Sequence, residues 1–307
     1  YHSYEDLWYP IPNDEREQER ENMRHAMMLE LTEGKHFFAP IGDSPQKIID
    51  LGTGTGIWAI EVAEKFPLAN VLGIDITSIQ PIWVPPNLGF LVDNIQRDWH
   101  NGEDFDFVHA RHMFPLLERP NKVLAESFAH LKPGGWFECQ ELDAIALCDD
   151  GTVPADYRLG KFLDLAAHAL RIFGYDMQIA TKLEEPIKAA GFVNVTCKKF
   201  KVPVGTWQQD ERLRSVGQCL RDALEQMLGA FGARLFAELG MSQAEIEVFF
   251  VGVRQDLRND DYHSYLEYIF WTGQTPGQPH ATTTRQAVTK TCRLPDSMHL
   301  SSVGVSL

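Results

Sequence analysis

The segment Lys47-Ile48-Ile49-Asp50-Leu51-Gly52-Thr53-Gly54-Thr55-Gly56-Ile57-Trp58 constrains this chain more than any other. An apolar run ends in three glycines spaced two apart, and a helical pattern from Ile57 to Phe66 follows at once. A strand, a glycine turn and a helix in direct succession bring bare backbone close to a ligand and adopt dihedrals that a Cβ forbids. The helix start adds unpaired N–H donors. The pattern is Gly-x-Gly-x-Gly, because Ile57 follows Gly56, and no Lys-Ser or Lys-Thr completes a Walker sequence. Those differences favour a nucleoside without a phosphate chain over a dinucleotide or a nucleoside triphosphate. The turn therefore points to S-adenosylmethionine as cofactor, with Asp50, Gly52, Thr53, Gly54 and Gly56 as its first binding residues. The plain alternative is a structural turn.

The flanks sharpen the expectation. Val71-Leu72-Gly73-Ile74-Asp75 is a second apolar strand, and Asp75 lies where a doubly wound nucleotide-binding fold places a carboxylate for ribose hydroxyls, with Ile76 beside it. Asp75 competes with a helix-cap reading. Gly89-Phe90-Leu91-Val92 ends in Asp93-Asn94, where short polar side chains can meet the exocyclic amine of adenine, or simply form a turn. Phe105-Asp106-Phe107-Val108-His109 is a fourth strand, and Leu131 to Glu141 reads as helix end, tight turn and fifth strand. His109 joins the cofactor-binding candidates.

This ordered set, from Asp50–Gly56 through Asp75, Asp93-Asn94 and Phe105–Arg111 to Leu131–Trp136, resembles the class I S-adenosylmethionine-dependent methyltransferases. Tyr9-Pro10-Ile11-Pro12-Asn13-Asp14-Glu15, Gly52 to Ile60, Gln80-Pro81-Ile82-Trp83-Val84-Pro85-Pro86-Asn87, His109-Ala110-Arg111 and Lys132-Pro133-Gly134-Gly135-Trp136 narrow it further. Together they are similar to the fungal LaeA-like (UMTA-like) branch, over residues 4 to 276. The resemblance implies a fungal origin, a Rossmann-like fold with a mostly parallel seven-stranded sheet and an antiparallel last strand, and S-adenosylmethionine. It implies no substrate, since members serve both natural-product clusters and nuclear regulation. It also favours an N-terminal arm folding over the adenosine, with Tyr9 among the contacts. The chain departs from the branch at Asn94, where an acid is common, and at Arg119-Pro120, where a tryptophan usually precedes the proline; the first change bears on cofactor affinity.

At 307 residues and 44% hydrophobic content, the chain can bury a full core as one large domain or a domain with a lid. Its formal charge of −15, without a basic run, disfavours nucleic acid as a direct partner. Five scattered cysteines, without Cys-x-x-Cys spacing, argue for reduced thiols in the cytoplasm or nucleus and against a disulfide framework or a bound metal. No membrane span or signal peptide is visible. A small molecule, an apolar natural product, is the expected partner, with a protein partner as the alternative.

The expected organisation is an arm over residues 1–45, a methyltransferase domain over 46–276 and a flexible tail over 277–307. In the arm, Tyr4, Trp8, Tyr9 and His25 are candidate contacts, and Met23, Met27 and Leu31 give a helix beginning near Asn13 or Asp14 its apolar stripe. The arm is read either as a helix packed on the core or as a cover over cofactor and substrate. Helices are expected over 159–173, 179–190 and much of 210–257, with strands over 192–200 and 262–272. The insert between the last two strands, about 205–258, carries Met227, Phe231, Phe236, Met241, Phe249 and Phe250, which either line a substrate pocket or fill core.

Methyl transfer from a sulfonium needs positioning first, and a base only for a protonated acceptor. Ligands of such folds sit at the carboxyl ends of the strands, where His109, Arg111, His112, Met113, Gln140, Glu141 and Asp143 cluster in sequence. His112 is the first candidate base, because an unperturbed imidazole titrates near 6.5; an exposed loop histidine is the alternative. Glu141 is read as base or anchor, and Arg111 as orienting an acidic substrate group or a loop. The favoured activity is O- or N-methylation of a secondary metabolite. The alternatives are a regulatory methyltransferase in a protein complex and a non-methylating enzyme on the same fold, such as a cyclase.

Overall fold

After α1 (Glu15–Leu31), strands and helices follow in the order β1 (Lys47–Leu51), α2 (Ile57–Lys65), β2 (Asn70–Asp75), β3 (Leu88–Val92), β4 (Phe105–Arg111), α3 (Pro120–His130) and β5 (Leu131–Leu142), with no helix between β2, β3 and β4. Then follow α4 (Arg158–Ile172), α5 (Glu184–Ala189), β6 (Val193–Pro203), α6 (Glu211–Glu238), α7 (Gln243–Leu257) and β7 (Tyr265–Gln274). This computed structural model describes residues 14–277, apart from the side chains of 230–234. Tyr4, Trp8, Tyr9, the side chain of Phe231 and the proposed tail from 278 onward therefore lie outside the described residues.

The sheet order is β3-β2-β1-β4-β5-β7-β6. β3, β2, β1, β4 and β5 pair in parallel, and β7 runs antiparallel between β5 and β6. The class I architecture with an antiparallel last strand is thus present, and the first topological reversal falls between β1 and β4. Period-two alternation assigns side chains to the two faces. Ile48 and Phe107 pack with Trp58 and Val62 on one face, while Ile49 and Val108 pack with Val123, Leu124 and Phe137 on the other. A third cluster joins α1, α4, α6 and α7 to the β6–β7 end through residues such as Met27, Leu163, Leu224, Phe236, Phe250 and Leu266.

Asp14 caps α1 by accepting the Glu17 N–H at 3.0 Å. The buried Met27, Met28 and Leu31 dock α1 against α6, where the Arg212 guanidinium donates to the Glu30 and Leu31 carbonyls at 3.3 and 3.2 Å. The insert is two helices, and α7 opens with a capping box between Ser242 and Glu245. The expected helix over 179–190 is broken instead into a short turn at Ala180–Lys182 and α5, with Pro186 accommodated in the first turn of the latter. β7 begins three residues later than expected and pairs with β6 as far as Pro203 and Tyr265, which extends both strands to the insert.

Candidate active site

The glycine turn joins β1 to α2 with Gly52, Gly54 and Gly56 all at positive φ, 68°, 57° and 81°. Only residues without a Cβ adopt that alternation cheaply. The turn is pinned to β2 by the Gly52 and Thr53 N–H groups, which donate to the Ile74 carbonyl at 2.8 and 2.9 Å. The three glycines do different work. Gly52 and Gly54 border the cavity above the turn, where a Cβ on Gly52 would strike Met113 and one on Gly54 would sit 2.6 Å from Glu21 Oε2. Gly56 does not line that cavity; a Cβ there would drive into the Phe90 ring, so this glycine serves helix–sheet packing.

Asp75 ends β2 with its carboxylate at the turn. One oxygen accepts the Gly54 N–H at 2.8 Å, and the other accepts the Thr77 N–H and hydroxyl at 3.0 and 2.8 Å. Gln80 closes the turn from outside by donating to the Gly54 carbonyl at 2.7 Å. Asp50 faces inward on the same side as His109, its register partner on β4. One Asp50 oxygen meets His109 Nδ1 at 2.7 Å and the other accepts the Thr53 hydroxyl at 2.7 Å. The His109 ring lies flat on Trp58, with centroids 3.7 Å apart. Its basicity falls because of burial, which outweighs the Asp50 bond. Asp50 and His109 thus brace the floor. At the end of β3, Asp93 accepts the Asn94 N–H at 2.7 Å and the Asn101 amide at 2.6 Å, and Asn94 Oδ1 accepts the Gln96 N–H at 2.9 Å. Both residues border the cavity, beside Ile76 and Ile95.

One cavity runs from this turn to the ends of β4, β5 and β7. It is bordered by Asp50, Gly52, Thr53, Gly54, Asp75, Ile76, Asp93, Asn94, His109, Arg111, His112 and Glu141, all predicted from sequence. Beyond them it deepens into an apolar chamber formed by Leu163 of α4, Leu220, Ala223, Leu224 and Met227 of α6, and Leu266 of β7. Of the insert residues singled out from sequence, Met227 reaches the chamber. Phe236 and Phe250 are buried core, and Met241 and Phe249 pack against that core.

The strand-end residues depart from their free chemistry. His112 has φ 57°, an uncommon conformation for a non-glycine residue, and its N–H donates to the Gln140 carbonyl at 3.0 Å. Its Nε2 pairs with the Tyr268 hydroxyl. Burial first, then Arg24 and Arg111, drive its pKa well below 6.5, so the imidazole is neutral and a poorer base than the free residue. It is not an exposed loop histidine. Glu141 is fully buried; Oε1 accepts the Met113 and Phe114 N–H groups, both at 3.1 Å, and Oε2 has no partner. Burial lifts its pKa to about 8, so it is mostly protonated at neutral pH and anchors the turn after β4.

Arg111 Nη2 donates to His25 Nδ1 at 3.0 Å, so the His25 proton resides on Nε2, which donates to Glu61 at 3.0 Å. His36 reaches the same Glu61 oxygen at 2.7 Å. Burial and then Arg111 lower His25 to about 4, consistent with that neutral tautomer. Arg111 is therefore oriented by helix α1. The same helix supplies Arg20, Glu21 and Arg24 to the cavity, and Asn22 accepts the Thr55 hydroxyl at 2.8 Å. Sequence reasoning missed Arg20, Glu21, Arg24, Gln80 and Tyr268. The like charges Arg20 and Arg24 at i, i+4, unfavourable on an isolated helix, were the available signal.

The residues present fit a sulfonium nucleoside: a glycine-rich turn, a carboxylate at the end of β2, a polar pair beside apolar Ile76 and Ile95, and acids at the turn to match positive charge. A family model described as a methyltransferase domain matches residues 21–197. Methyltransferase pytC of Aspergillus terreus is 36% identical over 278 residues, spanning 90% of this chain and 86% of that protein. Secondary metabolism regulator LAE1 of Cochliobolus heterostrophus is 33% identical over 289 residues, spanning 91% and 93%. The crystal structure of the [4+2]-cyclase SpnF superposes with a TM-score of 0.50 at 16% identity, covering 83% of this chain and 82% of that one; this likeness concerns the fold alone. With the glycine turn and its acids in place, the chain belongs to the methyltransferase-domain family and is an S-adenosylmethionine-dependent methyltransferase of the fungal LaeA-like kind.

Proposed function

We propose that this methyltransferase acts on a small-molecule secondary metabolite, at oxygen or nitrogen. The observation that carries the reading is the apolar chamber behind Arg111, His112 and Glu141, walled by Leu163, Leu220, Leu224, Met227 and Leu266. A recess of this kind suits a compact apolar scaffold, with a few polar groups at its mouth to orient the reacting atom. Bound S-adenosylmethionine supplies an activated methyl group. Asp75 and the backbone at Gly52 and Gly54 would hold its ribose and amino-acid portions, and Asp93, Asn94 and Ile76 its adenine. Asp50 and His109 support that floor.

In this reading the chain contributes positioning and exclusion of water more than proton removal. Neutral His112 and protonated Glu141 act as hydrogen-bonding anchors for the acceptor, and Arg111 orients it, held in turn by His25. The arm helix α1 is the cover over the turn, through Glu21, Asn22 and the His25–Arg111 contact. Residues 46–276 would form the catalytic domain, with 205–258 as its substrate insert. The likeness to LAE1 favours a second reading, a regulator acting with a protein partner. Incubation with methyl-labelled cofactor and an extract of the host separates the two. Label on a small molecule supports the first reading; label on protein alone refutes it.

A further inference from the structure

The cavity is divided by charge. Glu21, Asp50 and Asp75 gather at the glycine turn, whereas Arg24 and Arg111 border the part beside His112, Tyr268 and Glu141. Arg20 is already held by Glu17 on its own helix. Neither Arg24 nor Arg111 forms an ion pair among the described residues; Arg111 donates instead to the neutral His25. Glu17 and Glu21 influence Arg24 only from beyond ion-pair distance.

We propose that the acceptor molecule is an acid, whose anionic group, a carboxylate or an equally acidic enol, seats between the guanidinium groups of Arg24 and Arg111. This deepens, and rests on, the small-molecule reading. Two partly buried guanidinium groups cost desolvation that an anion between them offsets, and planar guanidinium donors match a carboxylate edge. Burial, and then repulsion from Arg20, lower the Arg24 pKa to about 10, which marks the missing counter-charge. The cofactor's sulfonium and ammonium groups find their match among the acids at the turn; its carboxylate is the competing occupant of the arginine side, and the calorimetry below separates the two. Protonated Glu141, with Oε2 buried and unpartnered on that side, donates to such an anion where an ionised carboxylate would repel it. The anion is an anchor and not the methylated atom. Arginines on an attacking oxyanion would stabilise its charged ground state over a transition state in which that charge is being lost.

The test combines product charge with two variants. With methyl-labelled S-adenosylmethionine and host extract, the labelled small molecule is expected to bind an anion exchanger at pH 7. Its yield should fall by about tenfold or more in Arg24→Met and in Arg111→Met, and recover in part in Arg24→Lys. Calorimetry with S-adenosylhomocysteine should give affinities within about threefold of wild type in both methionine variants, which also reports an intact fold. A neutral or cationic labelled product overturns the proposal while leaving the small-molecule reading standing, as does undiminished acid product in both variants. A loss of S-adenosylhomocysteine affinity beyond about tenfold assigns the arginines to the cofactor and overturns it too. Absence of any labelled small molecule overturns both the proposal and the reading beneath it. The product-charge measurement needs only the wild-type protein, so it decides even where a variant fails to fold.

Discussion

Asp75→Ala is the most direct probe of the cofactor site. The carboxylate has two duties in the structure: it accepts the Gly54 N–H at 2.8 Å, and it faces the cavity where ribose hydroxyls are expected. A hydrogen bond to a charged group contributes about 1.5–3 kcal/mol. Loss of the ribose bond, partly compensated by water, should weaken S-adenosylhomocysteine by about 1–3 kcal/mol, or roughly 5- to 150-fold in Kd. The internal duty has its own signature, because the Gly54 and Thr77 N–H groups lose their acceptor and the ligand-free protein should lose about 1 kcal/mol. Titration calorimetry measures the first quantity, and urea unfolding without ligand measures the second. A variant that unfolds slightly earlier yet binds S-adenosylhomocysteine as wild type does would refute placement of the ribose at Asp75.

Four further outcomes are expected. His25, lowered to about 4 from 6.5, contributes stability that is fully present above pH 6.5 and disappears as pH falls through 4, amounting to about 3 kcal/mol. Denaturant midpoints of His25→Gln and wild type should therefore converge or cross by that amount between pH 7 and 4, and parallel curves would contradict the neutral tautomer. Glu138, which accepts the Phe38 and Ala39 N–H groups at 2.7 and 2.6 Å, should cost about 2–4 kcal/mol when changed to Ala, measured by urea unfolding. Gly56→Ala, at φ 81° against Phe90, should destabilise by about 2–4 kcal/mol, without the direct ligand clash expected from a larger residue at Gly54. Met227→Trp should lower labelled-product yield about tenfold while S-adenosylhomocysteine affinity stays within about twofold, since the change fills the chamber and not the turn.

The glycine turn, its β2 acid and the positions of the strands were legible because each is written locally. Alternating glycines require positive φ, apolar runs of five or six residues require burial on two faces, and the interval from Gly54 to Asp75 is one helix and one strand long. The same local signals placed Asp93-Asn94 at the end of β3 and Glu141 at the end of β5. What those side chains do was not legible. His112 reads from sequence as a histidine titrating near 6.5, but burial, then Arg24 from α1 and the adjacent Arg111, make it neutral. Glu141 reads as a carboxylate, yet burial keeps its proton in spite of the Met113 and Phe114 N–H groups, which favour the charged form. Gly56 follows the same motif as Gly52 and Gly54 but meets Phe90.

Sequence by itself determined the order of strands and helices and the ligand-facing turn, since backbone sterics and hydrophobic periodicity act over a few residues; the antiparallel final strand was an expectation from the family resemblance. Tertiary structure alone decided that α1 delivers Arg24 to the cavity and holds Arg111 through His25, 86 residues away in the chain. It also decided that Phe236 and Phe250 of the insert fill core while Leu220, Ala223, Leu224 and Met227 form the chamber wall. Charge state and pocket chemistry depend on burial and on neighbours distant in sequence, and only packing brings those together.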